Sequence, residues 1–327
     1  MIEIIGLTKR FKNITAVDNI NLNIFDGEIF GLLGPNGAGK STLIHLLSTI
    51  MKPDSGTIRI NGIDILKNPY QVRKLISVSF QDPRLDWQLN PIETLKWHGK
   101  IWKIPKNELQ SRIDELIKLL KLEEYKNIKN WKLSGGTRKK IEVCKVLIVR
   151  PEIAVFDEPT AFLDPVMKQI IWDNIKRLKE ENGSTVILAT NLMHEADILS
   201  DRVAIMDKGK IMEVGTPESL KNTVPSANFI IISYESTSTE LSIEKIVANL
   251  EEFPSIHKVI VENTAEEFNE VVLKIMSNSV KKVSSDILKF FQENRIIIKN
   301  FEITTPTLDD VFFHFTKSYL NPGEQSG

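Results

Sequence analysis

An α/β fold on a parallel sheet, followed by a smaller α+β unit, is what this sequence predicts, and three observations predict it. A glycine-rich loop, Gly34-Pro35-Asn36-Gly37-Ala38-Gly39-Lys40-Ser41, lies between an apolar run at 29–33 and a helical pattern at 42–49. Two short apolar β-rich runs, 153–156 and 185–189, flank a helical pattern around 166–179, and strand, helix, strand implies parallel pairing. Beyond Pro217 the texture changes: runs at 228–234, 256–261, 270–276 and 296–303 surround helical patterns at 242–250 and 280–294. That order is βαββαβ, the ferredoxin-like arrangement.

The remaining elements fill in around these. At 327 residues the chain exceeds what one core usually organises, so two domains are expected, 1–223 and 224–327. Ahead of and around the loop, β-rich runs at 2–7, 20–24, 28–33 and 57–60, with Asp26-Gly27 and Asn61-Gly62 as turn signals, read as an antiparallel sheet. From 91 to 150 the pattern turns helical, with Leu109, Ile113, Leu116, Ile117 and Leu120 at steps of three and four, which predicts a helical insert. In the second domain the polar stretch Ser236-Thr237-Ser238-Thr239 interrupts the elements, and an amphipathic stretch at 308–319 predicts a closing helix.

Composition narrows the class. Apolar residues at 42% and charged residues at 26% are globular usage and exclude disorder or a disulfide scaffold. No eighteen apolar residues run together, and no basic stretch followed by an apolar run opens the chain, so neither a membrane span nor secretion is expected. The single cysteine, Cys144, sits in an apolar-rich stretch and reads as a buried core thiol in a reducing cytoplasm. Net charge is only −1, but residues 223–327 carry nine basic against fifteen acidic side chains, and the rest carries 33 against 28. Neither part is basic enough for a nucleic-acid partner, whereas a mildly positive front suits a nucleotide phosphate.

The glycine-rich loop carries the chemistry. It matches GxxxxGK[ST] between a strand and a helix, the context of a phosphate loop. Glycines let backbone N–H groups converge on phosphate oxygens, and the helix beginning at Thr42 presents its positive end to the same anion. Lys40 would reach the β- and γ-phosphates, and the Ser41 hydroxyl would ligate magnesium. Ile153-Ala154-Val155-Phe156-Asp157-Glu158 supplies the second element, an apolar strand ending in two acids. There Asp157 would support the metal and Glu158 would polarise the attacking water. Between them Leu133-Ser134-Gly135-Gly136 opens a helix, and serine with glycines at a helix start is another anion site.

In this order and spacing the three motifs resemble ATP-binding subunits of the ATP-binding cassette (ABC) transporter family, over residues 1 to about 220. The resemblance implies two chains that sandwich two ATP molecules with Mg2+, Ser134, Gly135 and Gly136 of one closing over the γ-phosphate held by the other. It implies that Phe11 stacks on adenine, against a core phenylalanine, and that Gln81 contacts magnesium and water. Leu163-Asp164 resembles the loop that crosses to the other protomer, Asp164 being also a candidate helix N-cap. The segment 81–105, with Trp87, Trp97 and Trp102, resembles the groove that docks a membrane subunit. Trp97 and Trp102 are expected in the core, while groove and core remain open for Trp87.

Two departures stand out. Thr137 occupies a position where the family carries glutamine, and Asn191, after Thr190, stands where it carries a switch histidine. Asparagine donates a hydrogen bond but carries no charge. His194, a turn further on, is either a substitute for it or a solvated helical residue. Thr305-Pro306-Thr307-Leu308-Asp309-Asp310-Val311-Phe312 resembles the ending of drug-resistance-type exporter ATPases, which implies an exporter and a small accessory domain. The expected protein is therefore an ATPase that powers a membrane exporter, as a homodimer or cassette heterodimer, peripheral on the inner face of the cell membrane. Two alternatives are a slowly hydrolysing dimerisation switch, motivated by Asn191, and a soluble cassette serving DNA repair or the ribosome. The second is disfavoured because the chain has neither long coiled coils nor two cassettes.

Overall fold

A computed structural model describes residues 1–224, 228–235, 241–265, 270–277 and 280–316. The chain divides into two compact units, Met1–Pro217 and Glu218–Gly327. The boundary expected at 223/224 lies past this division, beyond a short helix at Pro217–Lys221.

The first unit holds two sheets. Strands β1 (Ile2–Phe11), β2 (Ile14–Ile24), β4 (Ser55–Ile60) and β5 (Ile63–Asp64) form an antiparallel sheet in the order β2-β1-β4-β5. The expected fourth member, 28–33, is not in it. As β3 (Ile29–Leu33) it lies inside a six-stranded sheet, parallel to β8 (Thr185–Thr190) and β9 (Arg202–Asp207). The physical reason is burial: all five β3 residues are inside, which suits a strand covered on both faces and not an alternating sheet edge. That sheet runs β10-β9-β3-β8-β7-β6, with β6 (Ile76–Ser79) and β7 (Ile153–Asp157) parallel and β10 (Lys210–Gly215) antiparallel at one rim.

Alternate residues of the central strands feed two cores. Phe30, Leu32, Val155 and Ile187 face the antiparallel sheet and helix α1 (Lys40–Leu47). Ala154, Phe156, Val186 and Leu188 face the helices. These are α3 (Pro91–Ile101), α4 (Lys106–Leu119), α5 (Gly135–Val149) and α6 (Pro165–Asn182), after a short α2 (Pro69–Arg73). Their starts are legible. Asn90 and Glu93 form a reciprocal capping box on α3, with Pro91 at the first position, and Ser134 and Asp164 cap α5 and α6. The predicted stripe holds, since Leu109, Ile113, Leu116, Ile117 and Leu120 are all buried. Trp97 is a correction: it is 60% exposed on α3, because Leu95 and Gly99 take the inward face. Trp87 is equally exposed and Trp102 is half-buried. Cys144 is fully buried on α5.

The second unit begins within α8 (Pro217–Lys221), which follows α7 (Met193–Leu199) of the first. It contains β11 (Asn228–Glu235), α9 (Ile243–Glu251), β12 (Ile256–Ala265), β13 (Glu270–Ser277), α10 (Val280–Glu293), β14 (Ile298–Thr304) and α11 (Leu308–Thr316). The antiparallel sheet order β12-β13-β11-β14 is that of a ferredoxin-like βαββαβ unit. The polar stretch 236–239 and the last residues of the expected 308–319 helix lie outside the described residues. Inside this unit Lys274 and Asp310 form a buried ion pair, and the Thr307 amide and hydroxyl both donate to the other oxygen of Asp310 at 2.8 Å.

Candidate active site

The phosphate loop joins β3 to α1, and its shape requires glycine at two close approaches. A Cβ at Gly34 would lie 2.2 Å from the Met206 carbonyl, and one at Gly39, whose φ is +107°, would lie 2.1 Å from that of Ala16. The Gly34 amide donates to the Thr190 carbonyl at 3.3 Å, tying the loop to the end of β8. Ala38 is buried beneath the loop, its amide donating to the Pro35 carbonyl at 3.2 Å. Lys40 is buried, and its Nζ donates to the carbonyls of Gly34 (2.7 Å) and Pro35 (3.0 Å). Burial lowers its pKa, against the pull of Glu158 and Asp157.

The carboxyl ends of neighbouring strands bring the other groups in. Asp157 ends β7, buried, with the Ser41 side chain beside it. Burial raises its pKa and Glu158 adds to this, whereas Ser41, Lys139 and Lys40 oppose it. Asp157 Oδ1 is buried without a hydrogen-bond partner. Glu158 follows in the left-handed region at φ +48°, its amide donating to the Ala189 carbonyl at 2.8 Å. A non-glycine residue held there costs about 1–3 kcal/mol, so the turn is held by its surroundings. Gln81, after β6, donates from Nε2 to Glu158 Oε2 at 3.1 Å. Asn191, after β8, donates from Nδ2 to Asn36 Oδ1 at 3.5 Å.

A cleft of about 410 Å³ opens over this cluster, lined by Asn36, Gly37, Gly39, Lys40, Ser41, Thr42, Gln81 and Glu158. Ile14, Thr15, Ala16 and Lys208 also line it and were not found by sequence reasoning. The turn carrying Lys208 reaches the loop through a Gly209 amide that donates to the Ala38 carbonyl at 2.9 Å. Only the adjoining Lys208-Gly209 turn is a local signal; nothing in β2 marks its first residues. Phe11, at the end of β1, does not line the cleft and is 42% exposed, with Lys9 Nζ 5.7 Å from its ring centre. Ser134, Gly135 and Gly136 do not line the cleft either. Ser134 Oγ accepts the Thr137 amide at 3.2 Å and lies 2.9 Å from the Thr137 hydroxyl, so the threonine holds the serine. The Phe162 carbonyl packs on Gly136, 3.4 Å from where its Cβ would be. Asp164 accepts the Met167 amide at 3.0 Å, which lowers its pKa. His194 is exposed and sets its ring edge against Trp172, while Asn191 alone of the pair meets the phosphate loop.

Magnesium fits this donor set. A buried carboxylate oxygen with no partner, beside the Ser41 hydroxyl, is what a cation shared with phosphate oxygens and water would use. Among the described residues no cluster of three or more His, Cys, Asp or Glu side chains would hold a metal without such help.

Comparison with known proteins gives the cluster its setting. A family profile described as ABC transporter matches residues 17–161. A daunorubicin resistance ATP-binding protein of Streptomyces coeruleorubidus is 30% identical, over 95% of this chain and 94% of its own. The doxorubicin resistance ATP-binding protein of Mycobacterium tuberculosis is 31% identical, over 93% and 89%. Among solved structures, a dimeric ATP-binding cassette in a post-hydrolysis state with ADP and Pi is 29% identical, with a TM-score of 0.61 over 66% of this chain and 98% of that one. An energy-coupling factor transporter ATP-binding protein of Clostridium novyi, 39% identical over 64% of this chain and 76% of its own, extends the likeness beyond drug resistance. Relatives named as ATP-binding proteins of drug resistance and of a transporter do not favour the slow-switch alternative drawn from Asn191. This chain belongs to the ATP-binding subunits of ABC transporters, in their drug-resistance type, and is an ATPase that powers a transporter.

Proposed function

We propose that two such cassettes, identical or different, clamp two ATP molecules between them and that hydrolysis releases the clamp to drive an exporter. The observation that carries this reading is the separation of two complementary half-sites on one chain. The cleft holding Lys40, Ser41, Gln81 and Glu158 contains no residue of the Ser134-Gly135-Gly136 loop, whose capped helix start is free to meet a second chain's phosphate. In this reading Lys40 and the loop amides hold the β- and γ-phosphates, and Phe11 stacks on adenine. Ser41 and Asp157, with Gln81, hold Mg2+, which when bound neutralises charge on the phosphates. Glu158 accepts the proton of the attacking water, and Gln81, bonded to it, orients that water. The Asn191 amide donates to the γ-phosphate, and Asp164 holds the loop that faces the other protomer.

Relatives named for drug resistance support export over import. The exposed Trp87 and Trp97 support docking of a membrane subunit along 81–105, with the cassette peripheral on the cytoplasmic face. Among the described residues no helix is long and apolar enough to cross a membrane. The C-terminal unit is read as an accessory domain outside the active site.

Glu158→Gln tests the clamp. It removes the proton acceptor but keeps the side-chain shape, so kcat falls about 10²- to 10⁴-fold while ATP stays bound. Light scattering should then show a dimer that persists in ATP and Mg2+. A monomer at saturating ATP overturns the reading.

A further inference from the structure

The phosphate cleft and the Ser134-Gly136 loop belong to different composite sites, yet one face of α5 joins them. Lys139, only 2% exposed, donates from Nζ to the carbonyls of Phe80 (2.9 Å), Gln81 (3.2 Å) and Asp157 (2.8 Å). One turn along α5, Glu142 is fully buried. Its Oε1 accepts the Phe80 amide at 3.3 Å and its Oε2 the Arg84 amide at 3.0 Å. Lys145, a further turn on, donates to both Glu142 oxygens at 2.9–3.0 Å and to the Arg84 carbonyl at 3.2 Å. The spacing of three keeps the three side chains on one helix face.

We propose that Lys139 and Glu142 are positioning residues that lock the segment carrying Gln81, and the end of the strand carrying Asp157 and Glu158, to the helix that presents Ser134. A displacement at Gln81 in one site is thereby delivered to the loop that serves the other.

Three features set this apart from ordinary packing. The acceptors of Lys139 are all main-chain oxygens at the two strand ends that deliver Gln81 and Glu158, so the ammonium grips chain direction and not a counter-charge. Lys139 is buried, so a charge is kept inside at a cost that an apolar residue would avoid. Glu142 and Lys139 hold the same short segment through opposite groups, amides and carbonyls, which fixes its position along α5 and its rotation about its own axis. The lock is rigid because α5 is one continuous helix from its Ser134 cap through all three residues.

The coupling rests on the roles proposed above for Ser134 and Gln81, and the experiment separates the two. In the full chain, Lys139→Met, Lys139→Arg, Glu142→Gln and the Lys139→Met/Glu142→Gln double variant are compared for kcat, KM and ATP affinity. Backbone hydrogen exchange is followed at 80–84 and 134–138. Glu142→Gln keeps volume but turns one acceptor into a donor facing an amide, so it decides the matter should Lys139→Met fail to fold. Expected are a tenfold or greater loss of kcat in either single variant, with KM and ATP affinity within threefold of the parent. The double variant is no worse than the poorer single one, Lys139→Arg restores part of the rate, and exchange rises in both segments. A kcat within twofold of the parent, ATP affinity falling in step with kcat, or faster exchange at 80–84 alone overturns the lock. Ser134→Ala is the control. If it leaves kcat unchanged the role of that loop falls, and coupling to catalysis with it. If it lowers kcat while Glu142→Gln does not, only the lock falls.

Discussion

Two buried aspartates, one in each unit, meet opposite fates. Asp310 has both oxygens engaged within its own unit, one by Lys274 and one by Thr307, so its charge is spent fastening α11. Asp157 has an oxygen buried with no hydrogen-bond partner, and burial raises its pKa. A buried charge that is fully answered inside the chain builds architecture. One left partly unanswered at the end of a parallel strand marks where something else binds.

Swapping each carboxylate for an amide sharpens this contrast most. Asp157→Asn should lower kcat by about 10²- to 10³-fold, the scale of losing one electrostatic element of an active site. Without nucleotide it should raise the melting temperature, because the ionised carboxylate is the disfavoured form in that site. The sign follows from its raised pKa: the native state takes up a proton more readily than the unfolded chain. Its penalty is therefore absent below the unfolded pKa and grows as pH rises through the folded one. Asp310→Asn should do the reverse, leaving kcat within twofold but removing the negative charge from a buried ion pair, at a cost of about 3–5 kcal/mol to its unit. Calorimetry and steady-state hydrolysis measure both, and equal effects on kcat would break the contrast.

Smaller effects test its edges. Asn191→Ala should reduce kcat about tenfold or more, by withdrawing a donor from the phosphate, whereas Asn191→His should not. A histidine variant that is much slower would show that the site is shaped around the amide. A chain ending at residue 223 should bind ATP within twofold of the full chain in calorimetry, and a folded truncated chain that loses ATP would move the second unit into the site. Smallest of all, Trp97→Ala should change stability by no more than about 0.5 kcal/mol and leave the isolated ATPase untouched. Its effect should appear only in assembly with the membrane subunit, as lost stimulation of hydrolysis.

Much of the site was legible because its parts are local. The phosphate loop, the acidic strand end and the Ser134 cap each sit within a few residues of sequence, and their flanking elements follow from apolar runs and capping residues. What was not legible depends on distance along the chain. The sheet that claims β3 is decided by strands more than 150 residues later, through the pairing of Ile29 with Val186. Trp97 falls outside because α3 turns Leu95 and Gly99 inward, a choice of face that a short aromatic-rich stretch does not reveal. Nothing in the local sequence marks Lys139 and Glu142, because the Phe80, Gln81 and Arg84 groups they hold lie some 60 residues upstream.

The core position of Cys144 has a practical consequence for anyone wishing to watch this protein move. It is the only cysteine of the chain, and burial pushes its thiol up to about 12. Thiolate is the reactive form, and burial disfavours it here. Alkylating dyes should pass the native fold by and modify Cys144 only when α5 opens. A cysteine introduced on the surface would then be the sole handle for fluorophores or spin labels, with no need to remove the natural one, and slow modification of Cys144 would clock the unfolding of the helix behind Ser134.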